Sequence, residues 1–253
     1  MDRSFKARFI SDWLPPLVVL VLLVGGAEFS AVFFQISERI LPRPTVIFSS
    51  LVTFLKMQTG DYTSTVFNMF GGYFLAAPIG IALAALLAQS KISIKAFSPL
   101  IIVLATTPLM VLVPLLMIWL GWGLKVRIIA VTMQATPIIL LNTLAGFTNI
   151  TNEKNELAKV YGANRRDRFF KVVLPQAWPR IFTGLRLGVI NATLGIIGTE
   201  FVIRDIGMGN RIMISCSFVN IPLVYGCILL VAFTSRFLMS VVTFIEHKVI
   251  AYR

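Results

Sequence analysis

Residues Thr151–Arg180 read TNEKNELAKVYGANRRDRFFKVVLPQAWPR, a long polar stretch between two apolar segments in the second half of the chain. Its positive charges are Lys154, Lys159, Arg165, Arg166, Arg168, Lys171 and Arg180. Lysine and arginine beside a spanning helix resist translocation. The stretch is therefore predicted to lie on the cytoplasmic side of a membrane.

The pattern inside this stretch predicts two short helices separated by a glycine. Leu157 and Tyr161 recur at helical spacing, and Gly162 is placed to adopt the left-handed conformation that ends a helix. Asn164 is placed to start the second helix, and Pro175 is predicted to end it. The result would be a compact helical knob on the cytoplasmic face.

The same residues resemble the cytoplasmic signature of the permease subunits of bacterial ABC importers. That signature is Glu-Ala-Ala, three residues, Gly, nine residues, Ile, one residue, Leu-Pro. Here Leu157 takes the second position and Val172 takes the place of Ile, and both are similar in size and polarity to the residues they replace. In that family the segment couples the permease to the ATP-hydrolysing subunit. The resemblance implies this role for Glu156, Leu157, Ala158, Gly162, Ala163, Val172, Leu174 and Pro175.

The resemblance extends along the chain to residues 41–48 (LPRPTVIF), 99–123, 137–147 (PIILLNTLAGF) and 184–192 (GLRLGVINA). These segments look like the branch that imports nitrate, aliphatic sulfonates and taurine, and neighbouring branches carry thiamin precursors or aromatic carboxylates. The resemblance implies a type I importer-like permease. Its expected partners are a second copy in a homodimer, two ATP-binding cassette subunits that bind ATP and magnesium, and an extracytoplasmic substrate-binding protein. The alternative for the polar stretch is an ordinary solvated basic loop.

The composition places the chain in a membrane. Of its 253 residues 57% are hydrophobic, and the mean hydropathy of +0.85 is too high for a soluble domain of this length. The net charge of +12 is spread along loop edges instead of one face with stacking aromatics, which argues against nucleic acid. No phosphate-binding loop, catalytic motif or metal-ligand spacing is visible, so no enzyme activity and no cofactor in this chain are expected.

Apolar runs predict an all-α protein with about six spans, at residues 14–34, 66–88, 97–120, 126–147, 181–203 and 224–245. Residues 1–63 are interpreted as an anchor helix with an outer amphipathic segment at 45–57, and residues 35–65 are predicted to lie on or near the outer surface. Residues 64–253 are interpreted as a five-span core that includes a coupling loop at 148–180, between the fourth and fifth spans. Fourteen Lys and Arg fall on the predicted inside and seven outside; Arg127 is among the outer seven, in a predicted outer turn with Gly121 and Gly123. This bias predicts a multi-pass protein of the bacterial inner membrane with both termini cytoplasmic.

Polar residues within the spans are candidates for a translocation pathway. They are Asn142, Asn191, Thr193 and Glu200. An interhelical hydrogen bond explains each of the first three as well as a pathway does. For Glu200 the alternative is an ion pair with Arg204, one helical turn further on. The spacing of Gly184 and Gly188 predicts a close contact between helices.

These observations favour a membrane-spanning subunit of an ATP-driven importer for a small organic or inorganic anion, such as a sulfonate, taurine or nitrate, working by alternating access. The same machinery serving a thiamin precursor or an aromatic carboxylate is the alternative within the class. An ion-gradient-driven secondary carrier is the alternative from another class. It predicts inverted repeats and midplane relay residues, and the sequence displays neither.

Overall fold

The computed structural model describes residues 3–149, 162 and 164–251, and these residues form helices and no strands. The α-helices are α1 (Arg3–Phe33), α2 (Pro44–Met57), α3 (Thr59–Leu87), α4 (Lys91–Thr106), α5 (Leu109–Leu120), α6 (Leu124–Thr148), α7 (Arg165–Arg168), α8 (Leu174–Ile203), α9 (Met208–Ser217) and α10 (Ile221–Ala251). A π-helical turn, Phe169–Val173, joins α7 to α8. The predicted all-α fold is confirmed.

Four helices in the described part of the chain are long and apolar enough to cross a membrane. They are Thr59–Leu87, Leu124–Thr148, Arg166–Ile203 and Ile221–Ile250. A fifth crossing results if the bent pair α4 and α5 forms one span. These elements correspond to the second to sixth predicted spans, and α1 covers the first. The count of six spans stays a prediction.

The predicted third span is broken at a proline. The axes of α4 and α5 differ in direction by 95°, and Thr107 between them is extended, with φ −70° and ψ 123°. Proline disfavours the helical conformation of the residue before it, which places the break at Thr107–Pro108. Pro99 and Pro114 lie inside α4 and α5.

Two boundaries differ from the sequence prediction. The helix α3 begins at Thr59 instead of residue 66, so Thr65 lies in a helix and is 3% exposed instead of lying on the outer surface. Arg127, predicted to lie in an outer turn, belongs to α6 and is 4% exposed. Both predictions were wrong for the same reason. A polar side chain near the end of a span is exposed only if no residue distant in sequence packs over it.

The chain divides into two compact units, and the first contains the described residues of Met1–Thr59 and Arg211–Leu229. In this unit Glu28 of α1 accepts hydrogen bonds from the backbone N–H of Thr45 at 3.1 Å and from its hydroxyl at 2.9 Å. The carboxylate thereby satisfies a free N–H group in the first turn of α2, where negative charge is favourable.

The second unit contains the described residues of Gly60–Asn210 and Leu230–Arg253. Its central cluster of buried apolar side chains comes from α3, α6, α8 and α10 and includes Met69, Ile139, Ile196 and Leu238. A second cluster joins α3, α4, α6 and α8 near the start of α8. A third joins α5 to the start of α6 and the end of α8.

The helices α6 and α8 touch along a glycine face of α8. A Cβ atom at Gly184 would lie 2.9 Å from the Asn142 Cβ and 3.1 Å from the backbone oxygen of Ile139. One at Gly188 would lie 2.7 Å from the Ile139 side chain. Such distances leave no room for even a methyl group, so the predicted close helix contact is confirmed. The partner is a helix of the same chain.

Candidate functional site

The segment predicted to couple to an ATPase is described from Gly162 and Asn164 onward. Glu156, Leu157, Ala158 and Ala163 lie outside the described residues. Gly162 has φ +74°, the left-handed conformation that the sequence predicted.

Asn164 starts the next helix as predicted. Its side-chain oxygen accepts a hydrogen bond from the Asp167 N–H at 2.8 Å, and its backbone oxygen accepts one from the Arg168 N–H at 3.0 Å. This is the geometry of an N-cap, in which a side chain satisfies a free N–H group at a helix start.

The predicted stop at Pro175 is wrong, because the helical path runs on through Val172, Leu174 and Pro175 into α8. Residues Arg166–Ile203 form one continuous helix of 38 residues. A proline inside an α-helix removes an N–H donor and presses against the carbonyl four residues earlier. The wider π turn, Phe169–Val173, ends just before Leu174 and Pro175, and the hydrogen-bond register changes there.

The start of α8 is anchored in the buried cluster near it. Phe169, Val173 and Leu174 pack against side chains that include Phe147 and Ala177. The rings of Phe147 and Phe169 lie 5.4 Å apart between centroids. The end of the coupling segment is therefore held against the end of α6, the helix that precedes it in the chain.

A second polar site lies at the opposite end of α8, around Glu200, which is 1% exposed. Its carboxylate accepts hydrogen bonds from the Thr65 hydroxyl, at 2.8 and 2.9 Å, and from the Gly209 N–H at 2.8 Å. The Thr65 oxygen in turn accepts the Met208 N–H at 2.8 Å. Asp61 accepts the Gly207 N–H at 3.1 Å.

These contacts satisfy successive N–H groups at the start of α9. The first N–H groups of a helix have no partner within the helix and carry a partial positive charge. The carboxylates of Asp61 and Glu200 meet that charge and fix the chain that joins α8 to α9. The buried acid is thus an interhelical cap, with partners that neither sequence hypothesis for Glu200 had named.

The glycines after Glu200 make room for its side chain. Gly207 has φ +133°, which side-chain-bearing residues rarely adopt, and a Cβ atom there would overlap the Glu200 carboxylate. A Cβ atom at Gly209 would lie 2.7 Å from the Glu200 Cβ and 2.8 Å from the Ile197 oxygen. The sequence Gly-Met-Gly at 207–209 is a local signal for this site.

An ion pair lies on the same connection. Arg127 of α6 donates to Asp205 at 3.0 Å, and the Asp205 carbonyl accepts from the Asn210 side chain. The alternative pairing of Glu200 with Arg204 is not formed, since the described residues contain no ion pair between those two side chains. Arg204 instead ends α8 in the left-handed conformation.

The other pathway candidates make hydrogen bonds within helices and between them. Asn142 donates to the Ile138 oxygen of its own helix at 2.8 Å. Asn191 donates to the Leu187 oxygen at 3.0 Å and faces the Gln134 amide of α6 at 3.4 Å.

The Thr193 hydroxyl lies 2.9 Å from the Ser235 hydroxyl of α10. Asn191, Thr193 and Glu200 share α8 and spread over about 13 Å at the helical rise of 1.5 Å per residue. They therefore do not form one site.

Sequence reasoning missed Asp61, Thr65, Arg127 and Asp205. Thr65 and Glu200 are separated by 135 positions, so no local periodicity connects them. The usable signal was the combination of an acid inside a span with two closely following glycines.

Comparison with known proteins gives the family. The family described as "Binding-protein-dependent transport system inner membrane component" matches residues 76–251. The putative aliphatic sulfonates transport permease protein SsuC of Bacillus subtilis (strain 168) is 25% identical over 256 residues, which cover 99% of this chain and 92% of SsuC. The nitrate import permease protein NrtB of Leptolyngbya laminosa is 31% identical over 179 residues, which cover 71% of this chain and 64% of NrtB.

A solved structure shares the fold. It is described as the crystal structure of an amino acid ABC transporter with histidines and superposes with a TM-score of 0.58 at 18% identity, covering 87% of this chain and 98% of that one. The matched family residues make up most of the sequence and contain the end of α3, α4 to α8, and α9 and α10. This chain therefore belongs to the family of binding-protein-dependent transport system inner membrane components, the permeases of ABC importers.

Proposed function

We propose that this chain is the membrane-spanning subunit of an ATP-driven importer and that residues 148–180 couple it to a separate ATPase subunit. The observation that carries the proposal is helical continuity. The described end of the coupling segment runs without interruption into α8, as one helix of 38 residues. A force applied to the segment therefore acts directly on a membrane-spanning helix.

The coupling residues are proposed to be Glu156, Leu157, Ala158, Gly162, Ala163, Val172, Leu174 and Pro175. Gly162 supports this assignment, because a left-handed residue before a capped helix gives the segment a fixed turn. ATP and magnesium belong to the ATPase. Its closure would draw two such segments together and open the membrane bundle outward, and hydrolysis would reverse the movement.

A second copy of the chain is proposed to cover the exposed side of α8 in a homodimer. The apolar side chains of Leu187, Ile190 and Leu194 are 36%, 42% and 63% exposed. Asn191 lies among them near the middle of the helix, and a polar amide facing lipid at that depth would be costly. We therefore propose that this stripe faces the partner copy and the pathway, with Asn142, Thr193 and Glu200 as further candidates for pathway residues.

The substrate is proposed to be a small organic or inorganic anion, delivered by an extracytoplasmic binding protein. The names of the sulfonate and nitrate permeases among the relatives support this class. A thiamin precursor or an aromatic carboxylate is the alternative within the same machinery. The protein is proposed to reside in the bacterial inner membrane with both termini cytoplasmic.

Reconstitution tests the function. The chain, co-expressed with an ATPase subunit and a binding protein from the same genome, is expected to co-purify with the ATPase. In proteoliposomes the complex is expected to take up labelled taurine, an alkanesulfonate or nitrate only with ATP. Uptake by this chain alone, driven by an ion gradient, would establish the secondary carrier instead.

A matched pair of variants tests the coupling role of Gly162. Asparagine tolerates the left-handed conformation, whereas the β-branched side chain of valine opposes it. We expect Gly162→Asn to keep most ATP-dependent uptake and Gly162→Val to lose it, with both proteins present in the membrane in equal amounts. Equal uptake by the two variants would contradict a coupling role for this turn.

A further inference from the structure

The helix that leaves the coupling segment changes its hydrogen-bond register before it enters the membrane. In α7 the Arg168 N–H donates to the Asn164 oxygen, four residues earlier. At the next turn the Leu174 N–H donates to the Phe169 oxygen, five residues earlier. The α-helical register returns in α8. Single π turns inside α-helices are rare and are frequently found at functional sites.

Core packing explains why the turn is wide at this place. Phe169 and Leu174 both pack against the cluster that contains Phe147 and Ala177. In an α-helix two residues five positions apart would point about 140° away from each other, at 3.6 residues per turn. The wider turn brings both onto the same face. Phe170 and Lys171, whose side chains point outward, accommodate the extra residue.

The π turn cannot move along the helix toward the membrane. Pro175 comes directly after Leu174, whose N–H closes the turn, and it has no N–H to donate in either register. On the other side the capped start at Asn164 limits α7 to a single turn. The wide turn is therefore confined between a cap and a proline, at the point within the coupling segment where α7 joins α8.

We propose that this π turn is a slip joint, in which conversion between the π and α registers rotates α7 and the preceding segment relative to α8. The proposal rests on the coupling role proposed for residues 148–180. One residue of register corresponds to a rotation of about 100° around the helix axis. The joint lets the segment turn with a moving ATPase while α8 keeps its own hydrogen bonds. In the α register Phe169 leaves the Phe147 ring.

Deleting Phe170 tests the joint. The deletion places Phe169 four residues before Leu174, so an ordinary α-helix keeps both on the core and the extra residue is gone. Phe170→Ala is the control, because it removes the same exposed side chain and keeps the chain length. We expect ATP-dependent uptake and substrate-stimulated ATPase activity to fall at least about fivefold in the deletion variant, the lower end of usual coupling between sites. The substitution variant is expected to retain both.

A reversible lock gives a second readout that does not depend on assembly of the deletion variant. Phe147→Cys with Phe169→Cys joins α6 to the turn across the joint. Gly195→Cys with Gln134→Cys joins α6 to α8 beyond it, where a Cβ at Gly195 would lie 3.1 Å from the Gln134 Cβ. With both native cysteines replaced by serine, oxidation is expected to stop substrate-stimulated ATPase activity in the first pair only, and reduction is expected to restore it.

The outcomes separate this inference from the proposed function. Wild-type activity in the deletion variant, or in the oxidised first pair, would overturn the slip joint. ATP-dependent uptake by the unmodified complex would still support the proposed function. If the unmodified complex takes up substrate without ATP, the proposed function fails, and the joint fails with it.

Discussion

Replacing Thr65 by valine removes a hydroxyl that serves two buried groups at once. Its oxygen lies 2.8 Å from one Glu200 carboxylate oxygen and accepts the Met208 N–H at 2.8 Å. Valine has nearly the same shape and fills the same space, so the change isolates the hydrogen bonds from packing. In the variant the N–H of Met208 has no acceptor, and the site is closed to water because Thr65 is only 3% exposed.

The expected loss follows from those two groups. A buried N–H left without a partner costs about 1–3 kcal/mol, and a hydrogen bond to a charged group contributes about 1.5–3 kcal/mol. Glu200 keeps its bond from Gly209, which limits the second contribution. We expect a total near 3 kcal/mol, or a fall in Tm of roughly 6–12 °C for a chain of this size.

The measurement uses the chain's own cysteines. Cys227 is buried and Cys216 is exposed, so in a Cys216→Ser background a thiol-reactive dye reports unfolding by its reaction with Cys227. Thr63→Val is the control, because Thr63 lies on the same helix, is exposed and bonds only to its own turn. A Tm for Thr65→Val within about 2 °C of the control, equivalent to under 1 kcal/mol, would refute the capping role of this network.

Three further predictions concern the packing and polar contacts of α8. Gly184→Ala is expected to lower the free energy of unfolding by about 1–3 kcal/mol, because its methyl group would meet the backbone of α6. Gly198→Ala is the control and is expected to lower it less, because its methyl group would meet a flexible methionine side chain. The same dye assay compares the two variants. Arg186→Glu should destabilise the complex and combination with Glu246→Arg should restore it, since the two side chains form an ion pair between α8 and α10. Asn191→Leu is expected to leave Tm nearly unchanged but to reduce uptake, and normal uptake at equal expression would exclude Asn191 from the pathway.

Features decided by local chemistry were predictable from the sequence. The left-handed Gly162 and the cap at Asn164 depend on neighbouring residues alone, and both have the predicted geometry. The outer amphipathic segment Thr45–Met57 corresponds to α2, and the glycines of the predicted outer turn, Gly121 and Gly123, have φ values of +78° and +109°. Apolar run length likewise located each long helix, and it gave the ends of α6 to within two residues. The continuous helix that contains α8, however, begins at Arg166, 15 residues before the predicted start at 181.

Features decided by distant contacts were not predictable in the same way. The π turn depends on Phe169 and Leu174 sharing a core with Phe147, a residue on another helix. The burial of Thr65 depends on an acid on α8. Proline illustrates the difference: Pro108 breaks its span, whereas Pro175 lies in a continuous helix. The presence of a proline does not distinguish the two cases, since helices also continue through Pro78, Pro137 and Pro179.

The close fit between α6 and α8 restricts where a movement of the joint can go. Cβ atoms at Gly184 and Gly195 would lie 2.9 and 3.1 Å from α6 side chains, so the two helices cannot slide past each other by a residue without overlap. A rotation that the joint does not absorb must then move α6 and α8 together, as one pair. Glu200 belongs to this pair and lies about 40 Å along α8 from the joint, at a rise of 1.5 Å per residue. We therefore expect a movement of the coupling segment to displace the cap on α9 as a rigid unit with α6 and α8. For this reason a Thr65→Val variant that still assembles should alter uptake more than ATP hydrolysis.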